Sequence, residues 1–153
     1  MEPLPHRYTV TAVGEASGDV KMMSPRLTTL PVASPPAFGG LDGYWSPETL
    51  LCGAVGDCLI LTFRAIAAAS RLPWTSLRCR VTGTLDRVDR TTRFTGFDVE
   101  AHLDVPPDVD PVRARTVLEK AERNCLVANS LNAPIRLQAE VIAAKAAPLT
   151  GAV

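Results

Sequence analysis

The sequence predicts an α+β fold, because the spacing of its apolar residues changes repeatedly along the chain. Short β-prone pieces broken by glycines come first, then a long helical period, two strictly alternating strands, a second helical stretch and a last alternating strand. The 153 residues are 46% hydrophobic and 21% charged, a composition that excludes disorder, a collagen-like repeat and a coiled-coil rod. One domain over residues 1–142 is expected, with residues 143–153 as a small, featureless and flexible tail. At this length folding removes roughly 70% of the unfolded chain's surface, enough for a core without a cross-linked framework.

The first zone, His6 to Leu30, contains three β-prone pieces, Tyr8 to Thr11, Val20 to Met23 and Leu27 to Leu30. Breaks at Gly14, Gly18 and Pro25 make a small antiparallel meander of them. From Pro31 to Gly43 three prolines and three glycines mark a long loop of the kind that is usually functional or flexible.

A helix then starts at Ser46, a capping residue, with Pro47 at its first position and Glu48 placing negative charge where the helix dipole favours it. Leu51, Val55, Cys58, Thr62 and Ile66 recur at helical spacing and predict its buried stripe. The Ala-rich run carries it to about Arg71, and Leu72-Pro73 ends it.

Two alternating strands follow. Leu77, Cys79, Val81 and Leu85 form the apolar side of one; Phe97, Val99, Ala101, Leu103 and Val105 form that of the other. They predict a hairpin turning within Val88 to Thr92, with one wet face that carries His102. Pro106-Pro107 stops the second strand and Asp110-Pro111 opens a second helix. Its stripe of Ala114, Leu118 and Ala121 runs into Cys125, and Ile135 to Val141 is the last strand.

Sixteen basic and sixteen acidic residues balance to zero formal charge, which removes the electrostatic footprint of a nucleic-acid or anionic-membrane binder. The N-terminal residues show no basic start followed by an apolar run, so no secretory signal is visible and a cytoplasmic chain is expected. The most apolar stretch, Thr49 to Phe63, contains Asp57 and falls short of the roughly 20 residues of a membrane span.

The chemistry narrows to the cysteines. Only two histidines and no Cys-x-x-Cys pair are present, so neither a metal site nor a histidine-assisted hydrolase is expected. A glycine-rich phosphate loop is absent as well, since the glycines at 39, 40 and 43 lack the following Lys-Ser/Thr. Thiol redox chemistry needs only a thiolate to attack a peroxide and a second thiol to resolve the sulfenic acid. Cys58 and Cys125 fit that need, each on the stripe of a different helix, although small buried cysteines are also ordinary core residues. Cys52 and Cys79 read as core fillers.

The run Trp45-Ser46-Pro47-Glu48-Thr49-Leu50-Leu51, then Gly56-Asp57-Cys58-Leu59, a hairpin, and Glu119-Lys120-Ala121-Glu122-Arg123-Asn124-Cys125-Leu126-Val127-Ala128-Asn129-Ser130-Leu131 resembles the osmotically induced protein C (OsmC) family, which includes the organic hydroperoxide resistance proteins. The resemblance spans roughly Val10 to Val141. It implies two core helices, antiparallel sheets and an intertwined homodimer with active sites at the subunit interface. It also implies a thiol peroxidase that reduces organic hydroperoxides without metal or cofactor and is recycled by a dithiol such as a lipoylated protein. On that analogy Cys58 is the peroxidatic thiol, Cys125 the resolving thiol, and Glu48 the carboxylate that positions a catalytic arginine.

Where the family pattern places that arginine, this chain reads Gly14-Glu15-Ala16-Ser17-Gly18-Asp19. Lys21, Arg26 or a basic residue of a partner subunit are the candidate replacements. Glu48 and Cys58 are ten residues apart, about 15 Å along a straight helix, so a break at Gly53 or Gly56, or a second subunit, is required for them to act together. The missing arginine also supports a second reading, a non-catalytic or redox-sensing member that binds a small apolar ligand at its dimer interface.

Overall fold

A computed structural model describes residues 3–144. The chain divides into two compact units, Met1–Leu51 and Cys52–Val153. Among the described residues, two three-stranded sheets and two α-helices make up the α+β architecture.

In the first unit β1 (Thr11–Val13), β2 (Val20–Met23) and β3 (Leu30–Val32) form the expected antiparallel meander. The third strand starts later than its apolar residues suggest. The Leu27 amide donates to the Ser24 carbonyl at 3.1 Å and Arg26 has φ 65°, so Leu27 is spent on a turn. The proline- and glycine-rich loop is ordered by a short 3-10 turn at Pro36–Phe38 and by the Ala33 amide donating to Trp45. Gly40 is obligatory there, because a Cβ would lie 1.7 Å from the Ser34 carbonyl oxygen.

Helix α1 runs unbroken over Pro47–Ala69. Its start is a reciprocal cap: Ser46 Oγ accepts from the Thr49 amide at 3.2 Å and Thr49 Oγ1 accepts from the Ser46 amide at 2.8 Å. Neither Gly53 nor Gly56 interrupts it, so the kink anticipated between Glu48 and Cys58 does not exist. At 23 residues it is long and apolar enough to cross a membrane by length and composition, contrary to the estimate drawn from Thr49 to Phe63.

The second unit is built around β4 (Ser76–Val88) and β5 (Thr91–Val105), an antiparallel hairpin with a bulge at Thr84/Leu85. Its two-residue turn, Asp89-Arg90, has positive φ at both positions, the geometry that matches strand twist. Alternation holds closely on β5, where Phe97, Val99, Ala101, Leu103 and Val105 are each at most 1% exposed. The opposite face carries Asp98 against Arg136, bidentate at 2.6 and 3.0 Å, and His102 Nδ1 against Glu140 at 2.8 Å.

Helix α2 (Pro111–Arg123) is capped by Asp110, whose carboxylate accepts from the Val112 amide at 3.0 Å. The strand β6 (Ile135–Ala143) then joins the edge of β5 in parallel, a departure from wholly antiparallel sheets. An intervening helix returns the chain to the same end of the sheet, so the next strand enters in the same direction. Ala143, expected in the tail, belongs to β6, and residues 145–153 of the expected tail lie outside the described part of the chain.

From Cys52 onward α1 packs on β4 and β5 through small residues. Gly83 sits where a Cβ would be 2.8 Å from Cys52 Sγ and from the Phe94 ring, and Gly56 lies against Val81 and Cys79. Cys52 and Cys79 are thus packing residues at the helix–sheet seam. The fully buried Phe63, in edge contact with Trp74 at 5.3 Å, gives about 2–3 kcal/mol of burial at one end of this seam.

Candidate active site

Cys58 is displaced from the core that the apolar spacing predicts for it. The buried stripe of α1 is Val55, Leu59, Phe63 and Ala67; it shares Val55 with the predicted stripe and from there runs one residue beyond Cys58, Thr62 and Ile66. A helix apolar on almost every side offers little contrast for periodicity to read. Cys58, Thr62 and Ile66 line an open groove of about 680 Å³, together with Ala54, Asp57, Leu61 and residues of the second helix and its following turn.

Cys125 is 1% exposed and lies two residues past the end of α2, in a turn rather than on the helical stripe. That turn is fixed by its polar residues. Asn124 Nδ2 donates to the Lys120 carbonyl at 2.7 Å, Asn129 Nδ2 to the Arg123 carbonyl at 3.1 Å, and Ser130 Oγ to the Leu126 carbonyl at 2.8 Å. These side chains add hydrogen bonds to carbonyls at the helix end and in the turn that follows it. The amides of Leu126, Val127 and Ala128 remain for the sulfurs.

The Val127 amide donates to Cys58 Sγ at 3.5 Å, and Thr62 Oγ1 lies 3.9 Å from the same sulfur. Cys58 and Cys125 lie close enough for each to influence the other's acidity. Burial pushes the Cys58 thiol up, but hydrogen bonds from Val127, Cys125, Thr62 and Leu126 outweigh it and hold the thiol below the ordinary range. Burial pushes Cys125 up to about 11, and the neighbouring Cys58 sulfur adds to that effect against the Ala128 amide. Cys58 is thus the more acidic of the two thiols and Cys125 the less acidic, a division that suits attack by the first and later proton release by the second.

Glu48 stands in the first turn of α1 with one carboxylate oxygen, Oε2, buried and without a hydrogen-bond partner. The leading influences that lower the Cys58 thiol are hydrogen bonds, none of them from a basic side chain. The sequence singles out Cys58 and Cys125 as candidates but not the amides that act on them. The signal was present in the carbonyl-capping residues Asn124, Asn129 and Ser130 around Cys125. His102 lies on the outer face of β5, paired with Glu140. Among the described residues there is no cluster of His, Cys, Asp and Glu suited to a metal ion.

Fold and site together define a two-sheet α+β protein with one cysteine, Cys58, at the wall of a groove and a second, Cys125, buried in the adjoining turn. Residues 40–140, about two thirds of the chain, match the family model described as OsmC-like protein, and the chain belongs to that family. No curated protein matches the sequence. Among solved structures, an OsmC-like protein of unknown function from Vibrio cholerae superposes with a TM-score of 0.80 at 17% identity, covering 90% of this chain and 100% of that one. The organic hydroperoxide resistance protein OsmC from Legionella pneumophila gives 0.72 at 20% identity, with 91% and 98% covered. An organic hydroperoxide resistance protein from Elizabethkingia anophelis gives 0.71 at 23% identity, with 94% and 100% covered.

Proposed function

We propose that this chain is a cysteine-based peroxidase that reduces organic hydroperoxides. The observation that supports it most directly is Cys58 at the wall of an apolar groove, its sulfur accepting at 3.5 Å from the Val127 amide of the turn that also holds the buried Cys125. The Cys58 thiolate attacks the terminal peroxide oxygen and the O–O bond breaks. The alkoxide takes a proton and leaves as the alcohol, and Cys58 becomes a sulfenic acid. Cys125 then attacks the sulfenic sulfur, an S–S bond forms and water departs; a dithiol, in the cell a lipoylated protein, returns both thiols by two exchanges.

The acting unit in this reading is a cytoplasmic homodimer. The buried, unpartnered Glu48 oxygen favours it, because a carboxylate without a hydrogen bond is costly unless a cation or donor from another copy satisfies it. The test is turnover of cumene hydroperoxide with dithiothreitol. Cys58→Ser is expected to abolish it, and an unchanged rate sinks the proposal. For Cys125, one equivalent of peroxide is expected to remove two hydrogens from the intact mass; a stable sulfenic acid with Cys125 still alkylatable removes its resolving role.

A second reading, a non-catalytic or sensing member that holds a small apolar ligand, draws on Ala16-Ser17 standing where the arginine is expected. It predicts a Cys58 that alkylates no faster than an ordinary thiol at pH 7. The hydrogen bonds around that sulfur argue against this outcome.

A further inference from the structure

Serine and threonine side chains in helical turns commonly fold their hydroxyl back onto the carbonyl one turn earlier. Two hydroxyls of the second unit do so: Thr116 Oγ1 donates to the Val112 carbonyl at 2.9 Å, and Ser130 Oγ to the Leu126 carbonyl at 2.8 Å. Thr62, in the interior of α1, does not. Among the described residues its hydroxyl has one polar neighbour, the Cys58 sulfur at 3.9 Å. The side chain is half-buried on the wall of the groove that Cys58 also lines.

At 3.9 Å this hydroxyl gives the resting thiolate less than the Val127 amide does at 3.5 Å. Its hydrogen-bonding capacity is largely unspent before reaction, the condition under which a donor accelerates a step rather than stabilising the reactant. During in-line attack the sulfur, the oxygen it captures and the oxygen that departs are collinear. The departing oxygen then stands two stretched bonds from the sulfur, a separation close to the 3.9 Å between sulfur and hydroxyl, so a hydroxyl beside that line reaches it. Asp57, on the same wall next to Cys58, carries the wrong sign to receive the charge.

We propose that Thr62 is a catalytic residue of the peroxide step, donating a hydrogen bond from Oγ1 to the departing alkoxide oxygen. The inference rests on the peroxidase reading of Cys58 and deepens it. The thiolate sulfur bonds to the terminal oxygen and is oxidised to the sulfenic acid, while the O–O bond breaks and its electron pair leaves on the alkoxide. Thr62 keeps its proton throughout and shares it with that oxygen as charge develops there. The alkoxide takes its own proton from water at the open side of the groove.

The test follows consumption of the Cys58 thiol, read by peptide mass, in pre-reduced full chain freed of reductant at pH 7. Two oxidants of similar size are compared, cumene hydroperoxide and perbenzoic acid. Both transfer a terminal oxygen, but the peracid releases a carboxylate, which is stable without a donor. Each rate is divided by that of iodoacetamide labelling of the same protein, so that acidity and access of the thiol cancel. Thr62→Val, which keeps the side-chain shape, is expected to lower the normalised cumene hydroperoxide rate by about tenfold to a hundredfold, the range for a hydrogen bond to a charged group, and the perbenzoic acid rate far less. Thr62→Ala is expected to repeat the valine result and Thr62→Ser to restore most of the wild-type rate. If wild-type Cys58 reacts with cumene hydroperoxide no faster than N-acetylcysteine does, the peroxidase reading falls and this inference with it. If it reacts faster, and Thr62→Val and Thr62→Ala lose equal factors toward the two oxidants or none, the peroxidase reading stands and the catalytic role of Thr62 is overturned.

Discussion

Removing a single backbone donor tests whether the turn after α2 sets the acidity of Cys58. Val127 has φ −66° and ψ −48°, and its amide has no carbonyl partner, only the Cys58 sulfur at 3.5 Å. Proline fixes φ near this value and lacks the N–H, so Val127→Pro deletes the donor at a compatible φ. Hydrogen bonds to charged groups contribute about 1.5–3 kcal/mol. Because the sulfur faces an open groove, the lower end applies, about 1.5 kcal/mol, and one pKa unit corresponds to about 1.4 kcal/mol. The Cys58 thiol should therefore become less acidic, and its alkylation at pH 7 should slow about tenfold. The assay is iodoacetamide labelling of Cys58 across pH, read by peptide mass, with thermal unfolding to confirm that the variant folds. Thr62→Val, which removes the more distant hydroxyl at 3.9 Å, should move the thiol the same way by less. An unchanged labelling profile in the folded proline variant would refute the assignment of acidity to this turn.

Three further outcomes follow from the packing and the charges. Burial raises Cys79 to about 11, so the unfolded chain loses this proton first and stability falls as pH rises from the ordinary thiol range toward 11; Cys79→Val should flatten that alkaline slope in denaturant titrations. Gly83→Ala places a methyl 2.8 Å from Cys52 Sγ and Phe94 and should cost about 1–3 kcal/mol, and adding Cys52→Ala should recover part of it, a non-additivity measurable in a double-mutant cycle. The hydrogen bond from Arg136 holds the Asp98 carboxyl below its usual range, so its stabilisation is present above that range and lost as pH falls through the depressed value; Asp98→Asn should weaken the acid dependence of unfolding.

What was legible in the sequence depended on contrast. β5 alternates charged with apolar residues, and its buried face was read residue by residue. Asp110-Pro111 and Ser46-Pro47 announced the two helix starts through side-chain chemistry that the structure repeats. The interior of α1 was misread by one residue because Ala, Leu, Val and Ile surround it, and that single step separates Cys58 in the core from Cys58 at a groove. Cys125 was placed on a helix that ends at Arg123, since helix ends are fixed by capping hydrogen bonds that spacing does not reveal. The parallel entry of β6 escaped notice because alternation marks a strand but not its direction.

The uninterrupted α1 has a consequence for the chain before it folds. Twenty-three residues of this composition emerging from the ribosome satisfy the length test applied by membrane-insertion machinery. Asp57 lies one residue from the helix midpoint and Arg64 less than two turns beyond it. At a bilayer centre such side chains disfavour insertion by about 2.5–3.5 kcal/mol each. The carboxylate next to Cys58 thus weighs, with Arg64, against diversion of the nascent helix into lipid.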